Sequence, residues 1–375
     1  MPALQRAGAI LEDILTLSTR KASLSGLAAL GVVALLAGCG SAPEESGGGA
    51  AAPADSDFLP CMVSDAGGFN DASFNQLGKQ GLDEAAEALG VEPNAVQSDA
   101  ETDFGPNLTN LVNQGCSIIV TVGFLLADAT KAAAEENPDV NFAIIDDASI
   151  DAENVKPLTF NTSEAAFLAG YAAASYSKTG TVGTFGGMQI PTVTIFMDGF
   201  ADGVAYFNEQ KQKDVKVIGW DVASQTGSFT GGFAQGVEAK TAAQTLIDQN
   251  ADVILPVGGP IFLSAGEAIR DAGREIALIG VDADAYVTAP DLKDLFLTSI
   301  LKGINVAVSD VVQAAGEGDF SNEPYVGTLE NEGVGLAPFH DFESKIDPAL
   351  TGELDTIKQA IVAGEITVES PSALQ

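Results

Sequence analysis

A single histidine, His340, stands in 375 residues. That scarcity leaves little room for a His-rich metal centre or a Ser-His-Asp nucleophile system. Basic side chains are also few, 17 against 52 acidic ones, for a formal net charge of −35. Such a polyanion repels phosphate backbones, which disfavours nucleic-acid binding. The acids are scattered rather than blocked, as on a solvated surface. No Gly-x-x-x-x-Gly-Lys-Ser/Thr loop is there to cradle a phosphate. With so few cations, a neutral polar ring compound suits the chain better than an anion. Long apolar runs are lacking too: the stretch at residues 27–37 falls well short of the about twenty residues that a bilayer span takes.

That stretch follows Arg20 and Lys21 and has the basic flank and apolar core of a secretory signal peptide. It ends in Leu36-Ala37-Gly38-Cys39, which resembles a bacterial lipobox. The resemblance implies a signal peptide over residues 1–38. It also implies a lipid-carrying Cys39 that anchors the mature chain to the extracytoplasmic face of the cell membrane. Residues 39–57, rich in Gly, Ala, Ser and Pro, read as a flexible tether. Of three cysteines, Cys61 and Cys116 remain, and an exported pair is readily oxidised. Each precedes a strand-like run, so neighbouring strands would bring the thiols together at one end of a sheet. Two buried free thiols are the alternative.

After the tether, strand-like and helix-like segments alternate. Residues 58–63, 118–122 and 142–145 read as strands, with apolar positions at helical spacing over 74–89 and 125–136. A second series runs strand 182–185, helix 194–210, strand 215–219, helix 232–250, strand 253–257, helix 262–272 and strand 277–281. Alternation of this kind implies an α/β fold of parallel sheets covered by helices. The series restarts near Asn161 with an Ala-rich helix over 163–177. The expectation is therefore two doubly wound parallel-sheet lobes joined by a hinge. Residues 58–160 plus 284–318 would form the first lobe, and 161–283 plus 319–371 the second. Ligands of such sheets sit beyond the strand C-termini, which places one site in the cleft between the lobes.

The segment over residues 64–76, Ser-Asp-Ala-Gly-Gly-Phe-Asn-Asp-Ala-Ser-Phe-Asn-Gln, follows a strand and opens a helix, where backbone N–H groups are free. Gly67 and Gly68 permit close backbone approach. Asp71 or Ser73 can cap the helix, with Gln76 completing a capping box. Asp65 either projects into the cleft or only caps; Phe74 either faces a ring or joins the core. Asn75 is a further polar candidate in the same loop. Asp146, Asp221 and Asp282 also end strands. A carboxylate there can accept both hydrogens of a vicinal diol through charge-assisted bonds, or simply cap the next segment. Asp221 reads as structural or solvent-facing. Lys302, isolated in an apolar stretch, either snorkels to solvent or faces the cleft and pairs with a carboxylate. Glycine turns at Gly186-Gly187 and Gly258-Gly259 would expose backbone donors, and Phe229 would offer a second aromatic face for stacking.

Four segments carry a family resemblance: Asp65-Ala-Gly-Gly-Phe-Asn-Asp-Ala-Ser-Phe-Asn-Gln76, Gly123-Phe-Leu-Leu-Ala-Asp-Ala129, Gly280-Val-Asp-Ala-Asp284 and Thr298-Ser-Ile-Leu-Lys302. Over about residues 57–340 the chain resembles the basic membrane protein family, the PnrA-like nucleoside-binding lipoproteins of bacterial ABC importers. The resemblance implies a type I periplasmic-binding-protein fold and purine nucleosides as the small-molecule ligand. ABC permease and ATPase subunits would be its partners. Carried over by motif, Asp65 and Asp146 hold the base edge while Phe74 stacks on the base. Gly258, Asp282 and Lys302 hold the ribose hydroxyls, with Phe229 as the opposing aromatic. One departure is Asp282-Ala-Asp-Ala285, where the family often has Asp-x-Asp-Gln and so keeps an amide that this chain lacks. A monomer without catalytic residues, cofactor or metal is expected. Two other readings share the cleft: a ligand-sensing partner of a membrane receptor, and a binding protein for another polar solute such as a sugar. A nucleoside hydrolase would need a metal-holding aspartate cluster or a positioned acid and base. The aspartates here are spread over separate loops with Lys302 among them.

Overall fold

The computed structural model describes residues 57–373. The expected signal peptide, the lipobox Cys39 and nearly all of the tether lie outside the described residues. In chain order the first elements are β1 (Pro60–Val63), α1 (Phe74–Leu89), β2 (Asn94–Val96), α2 (Phe104–Asn113), β3 (Ile118–Val122), α3 (Ala127–Glu136), β4 (Asn141–Ile145) and β5 (Val155–Phe160). Then come α4 (Thr162–Tyr176), β6 (Thr181–Gly186), α5 (Pro191–Lys211), β7 (Lys216–Ile218) and a small hairpin of β8 (Trp220–Asp221) and β9 (Thr226–Gly227). The second series continues through α6 (Val237–Asp248), β10 (Val253–Val257), α7 (Ile261–Ala272), β11 (Ala277–Asp282), α8 (Ala285–Thr288) and β12 (Phe296–Lys302). Last are α9 (Ile304–Gly316), β13 (Tyr325–Gly327), β14 (Val334–Leu336) and α10 (Leu350–Val362).

Two sheets of six strands result, ordered β13-β5-β4-β3-β1-β2 and β14-β12-β11-β10-β6-β7. The first is parallel throughout. The second is parallel except where β14 runs against β12. This is the doubly wound α/β architecture expected from the alternation. β1, β3, β10 and β11 are buried along their whole length, which is why they read as continuous apolar runs rather than alternating ones. Cys61 and Cys116 are joined in a disulfide, with Cα atoms 5.9 Å apart. The bond lies where β1 and β3 pair, at the sheet end opposite the strand C-termini. Among the described residues, no helix is long and apolar enough to cross a membrane.

The lobe boundaries differ from expectation in two respects. Residues 284–302 stay with the second sheet, because β12 pairs in parallel with β11 from Leu278↔Phe296 to Asp282↔Leu301. The chain crosses back at Gly303, and α9 then packs on α1 in the first lobe. β13 also belongs to the first sheet, beside β5, so residues 319–327 are not part of the second lobe. A strand ending in aspartate followed by a short helix looks like a lobe exit in one dimension. The apolar run 296–301 instead buries best against β11, and edge pairing decides. The three crossings run side by side: Asn161 N–H donates to Gly327 O, and Gly303 N–H to Gly333 O.

α4 is buried on nearly every side and packs closely on α5. A Cβ on Gly203 would overlap the Phe167 carbonyl, and one on Gly170 would overlap that of Phe200. The bare glycines let two backbones approach where side chains would hold them apart. Gly203→Ala should therefore cost about 1–3 kcal/mol through overpacking, read as a lower urea midpoint at unchanged m-value. A midpoint equal to the wild type would show that the helices part freely.

Candidate functional site

The C-terminal ends of both sheets face one cleft, lined from both lobes by polar and aromatic side chains, the setting typical of small-molecule sites in such folds. On the first-lobe side, the loop after β1 is built around Asp71. Its Oδ1 accepts from Ser73 N–H (3.0 Å) and Gln76 N–H (3.0 Å), and its Oδ2 from Asn75 N–H (2.9 Å). These are donors that the start of α1 would otherwise leave orphaned. Asp71 is therefore the cap, and Ser73 is free for another contact. Asn75 spends its amide on the loop: Oδ1 accepts from Asp65 N–H (3.1 Å), and Nδ2 donates to Asp65 Oδ1 (2.7 Å) and Asp71 Oδ2 (3.1 Å). It lines the cleft as the support of Asp65. Gly67 N–H also donates to Asp65 Oδ1 (2.7 Å). Among the described residues, Asp65 Oδ2 takes no hydrogen bond and lies along the cleft wall beside Gly123 and Phe74.

At the cleft floor three strand ends converge. Asp146 follows β4 and Asp282 ends β11, and both adopt left-handed backbone, with φ of 66° and 65°. For non-glycine residues such conformations cost of order 1 kcal/mol each, so the surrounding packing must impose them. Lys302 ends β12 and is 3% exposed. Its Nζ donates to Asp146 Oδ2 at 2.5 Å and lies 3.9 Å from Asp282 Oδ1. Phe74 and Phe160 hold their ring centroids 5.0 Å from that ammonium, and Phe196 holds its own at 5.8 Å. The cation is thus compensated by two carboxylates and three ring faces, and it does not snorkel to solvent.

Asp65, Phe74, Asn75, Asp146, Gly258, Asp282 and Lys302 all line this one cleft. Phe229 does not. Its ring packs edge-on against Trp220, centroids 5.9 Å apart, and its backbone bridges to Gly186. The second-lobe aromatic faces in the cleft are Phe196 and Phe233. Phe233 follows Gly231-Gly232, a loop signal that sequence reading passed over. Phe196 was hidden in the apolar pattern of α5. Asp221 lies on the surface, accepting from Ser224 N–H and Oγ–H. Ser73, read only as a capping candidate, bridges the lobes: its Oγ lies 2.9 Å from Val281 O and 3.0 Å from Asp282 Oδ2.

Residues 58–371 match the family described as ABC transporter substrate-binding protein PnrA-like. A protein of Lactococcus lactis named ABC transporter nucleoside-binding protein BmpA is 32% identical, over 91% of this chain and 97% of its own length. A Listeria innocua protein named CD4+ T-cell-stimulating antigen is 31% identical over 92% of this chain and 97% of its own. Among solved structures, an ABC transporter solute-binding protein from Aeropyrum pernix superposes with a TM-score of 0.76. It is 25% identical, covering 84% of this chain and 94% of that one.

Burial pushes the carboxyls of Asp65 and Asp282 up from 3.8 to about 6. Asp146 is raised by burial too, against the opposing pull of Lys302. For Asp65 the hydrogen bonds from Gly67 and Asn75 moderate the rise, and for Asp282 the nearby Lys302 does so first. Between about pH 4 and about pH 6 the folded protein therefore holds protons that the unfolded chain has released. The contribution of these groups favours the fold at low pH and is lost as pH rises through about 6. Asp65→Asn keeps the oxygen acceptor but cannot titrate. Urea unfolding of wild type and variant at a series of pH values should show the variant gaining, relative to wild type, about 2–3 kcal/mol at most between about pH 4 and about pH 7. Parallel curves would place the Asp65 carboxyl in a more polar setting than its burial implies.

Proposed function

The chain belongs to the PnrA-like family of ABC transporter substrate-binding proteins, and from that premise we propose that it captures a purine nucleoside between its lobes for import. The observation that carries this reading is the division of the cleft into two chemistries. One end pairs the Phe74 ring with the open Asp65 oxygen. The other holds Asp146, Lys302 and Asp282 in one buried group. A heterocycle stacks on Phe74 and donates a ring or amino N–H to Asp65. Phe196 or Phe233 closes the opposite face, and ribose hydroxyls reach Asp282, Lys302 and the Gly258 backbone. Because Lys302 already sits between two carboxylates, the floor accepts neutral hydroxyls rather than a second full charge. The Lactococcus lactis relative, named as nucleoside-binding, supports the same ligand class.

Capture works by closure: contacts from both lobes exist together only in the closed form, so the solute stabilises that form by its differential affinity. A lipid chain on Cys39 would hold the protein at the membrane beside its permease and ATPase subunits, with residues 40–57 as the tether.

A thermal-shift series with nucleosides, free bases and sugars tests the ligand class. At about one thousand times its dissociation constant, a true ligand adds about 4 kcal/mol of apparent stability. Stabilisation by sugars with none by nucleosides would refute the nucleoside reading. Asp282→Ala should weaken nucleosides by about 2–4 kcal/mol, the scale for losing a buried charged partner. Titration calorimetry should show free bases much less affected. Equal losses for both would remove Asp282 from ribose recognition.

A further inference from the structure

After α10, residues 366–373 form a strap with Ile366, Val368, Ser370 and Ser372 turned inward and the residues between them exposed; residues 370–373 close a turn in which Ala373 N–H donates to Ser370 O and Ser372 N–H to Ser370 Oγ. The two apolar members pack against the hydrophobic core that runs through both lobes. The two serines bond to α5: Ser370 Oγ–H donates to Asp198 Oδ2 at 2.6 Å, and Ser372 Oγ lies 2.6 Å from Thr194 Oγ1. Asp198 is fully buried, and its other oxygen accepts from Trp220 Nε1 and Gln225 Nε2, both at 2.9 Å. Thr194 and Asp198 are four residues apart and share one face of the helix. Thr192, Val193 and Phe196, on the opposite face of the same two turns, line the solute cleft. At residues 371–373 the strap borders an open groove against Phe124 and residues 147–149 of the first lobe. Phe124 lines the cleft as well, so the groove adjoins it.

We propose that this strap is a positioning element of the binding site: by bonding the back face of the first two turns of α5 through Ser370 and Ser372, it holds their front face against the solute and slows its release. Ser370, Ser372 and Asp198 touch no solute themselves; they act through Thr192, Val193 and Phe196. The Ser370 bond to the Asp198 carboxylate is of the charge-assisted kind, about twice as strong as a neutral one, while Ser372 and Thr194 share a hydroxyl–hydroxyl bond; Trp220, the one tryptophan in the chain, reports on Asp198 directly. The retention part of the inference rests on the reading that solute occupies this cleft; the anchoring of α5 does not.

The test compares wild type with Ser370→Ala/Ser372→Ala and with the hydroxyl-keeping Ser370→Thr/Ser372→Thr. In solute-free protein, amide hydrogen exchange over residues 191–198 should quicken at least about tenfold in the alanine pair, which removes both hydroxyl bonds to α5. Exchange in α4 should stay unchanged, and the threonine pair should return toward wild type. Unchanged exchange over 191–198 would overturn the proposal. With guanosine as probe and Trp220 emission as signal, release should be about tenfold faster in the alanine pair at an unchanged association rate, since such losses fall on dissociation. Faster exchange with unchanged guanosine release would overturn the retention claim. A wild type that binds no guanosine would count against the nucleoside reading instead, and the exchange result alone would then decide the strap.

Discussion

Lys302 and the carboxylates around it are the interaction on which the rest of the structure depends. Its side chain is 2% exposed, against 7% for Asp146 and 6% for Asp282. Placing one cation and two acids so far from water costs several kcal/mol per ion, and only close mutual geometry offsets it. The elements that supply the group come from both sheets: Asp146 from the first, Asp282 and Lys302 from the second. Lys302 stands one residue before the crossing at Gly303, and Phe160, one of its ring neighbours, stands one residue before the crossing at Asn161. The charge cluster and the hinge are therefore neighbours.

The same constraint accounts for the backbone. In parallel sheets the strand C-termini all open on one edge, but a side chain there follows the alternation of the strand unless the backbone turns. Asp146 and Asp282 both turn, with left-handed φ, at equivalent positions of the two sheets. Strained residues of this kind persist where surrounding structure over-determines them. Here the determinants are Lys302 for both residues and the Ser73 hydroxyl for Asp282. Support thus passes from one shell of residues to the next. Asp71 caps α1, Asn75 holds Asp65, and the strap serines hold the helix that carries Phe196. Few of the polar side chains in this region are free, and Asp65 Oδ2 stands out as an open acceptor.

Much of this was legible in one dimension. Buried parallel strands must be apolar along their length, so β1, β3, β4, β6, β10 and β11 stood out as runs. The glycine-rich loop between β1 and α1 marked a strand-to-helix turn at a sheet edge. What misled was contact between segments distant in the chain. Residues 296–301 were assigned to the wrong lobe because strand pairing depends on which edge is available, not on the run itself. Phe229 and Phe233 are four residues apart in one loop, and contacts from distant segments separate them: the Phe229 ring packs on Trp220, while Phe233 lies over Gly187 and Gly258 and lines the cleft.

Sequence alone determined the layer architecture, the restart near Asn161 and the residue types at the strand ends, because hydrophobic periodicity and turn chemistry are local properties. The resemblance of four short segments added the family. Tertiary structure decided which carboxylate meets Lys302, that Asp71 rather than Ser73 caps α1, and that Ser73 reaches the other lobe. It also decided that a strap more than 170 residues away in sequence backs the wall of the cleft. Each of these is a choice among partners of similar chemistry. Distance in space makes that choice, and the spacing of residues along a chain does not encode it.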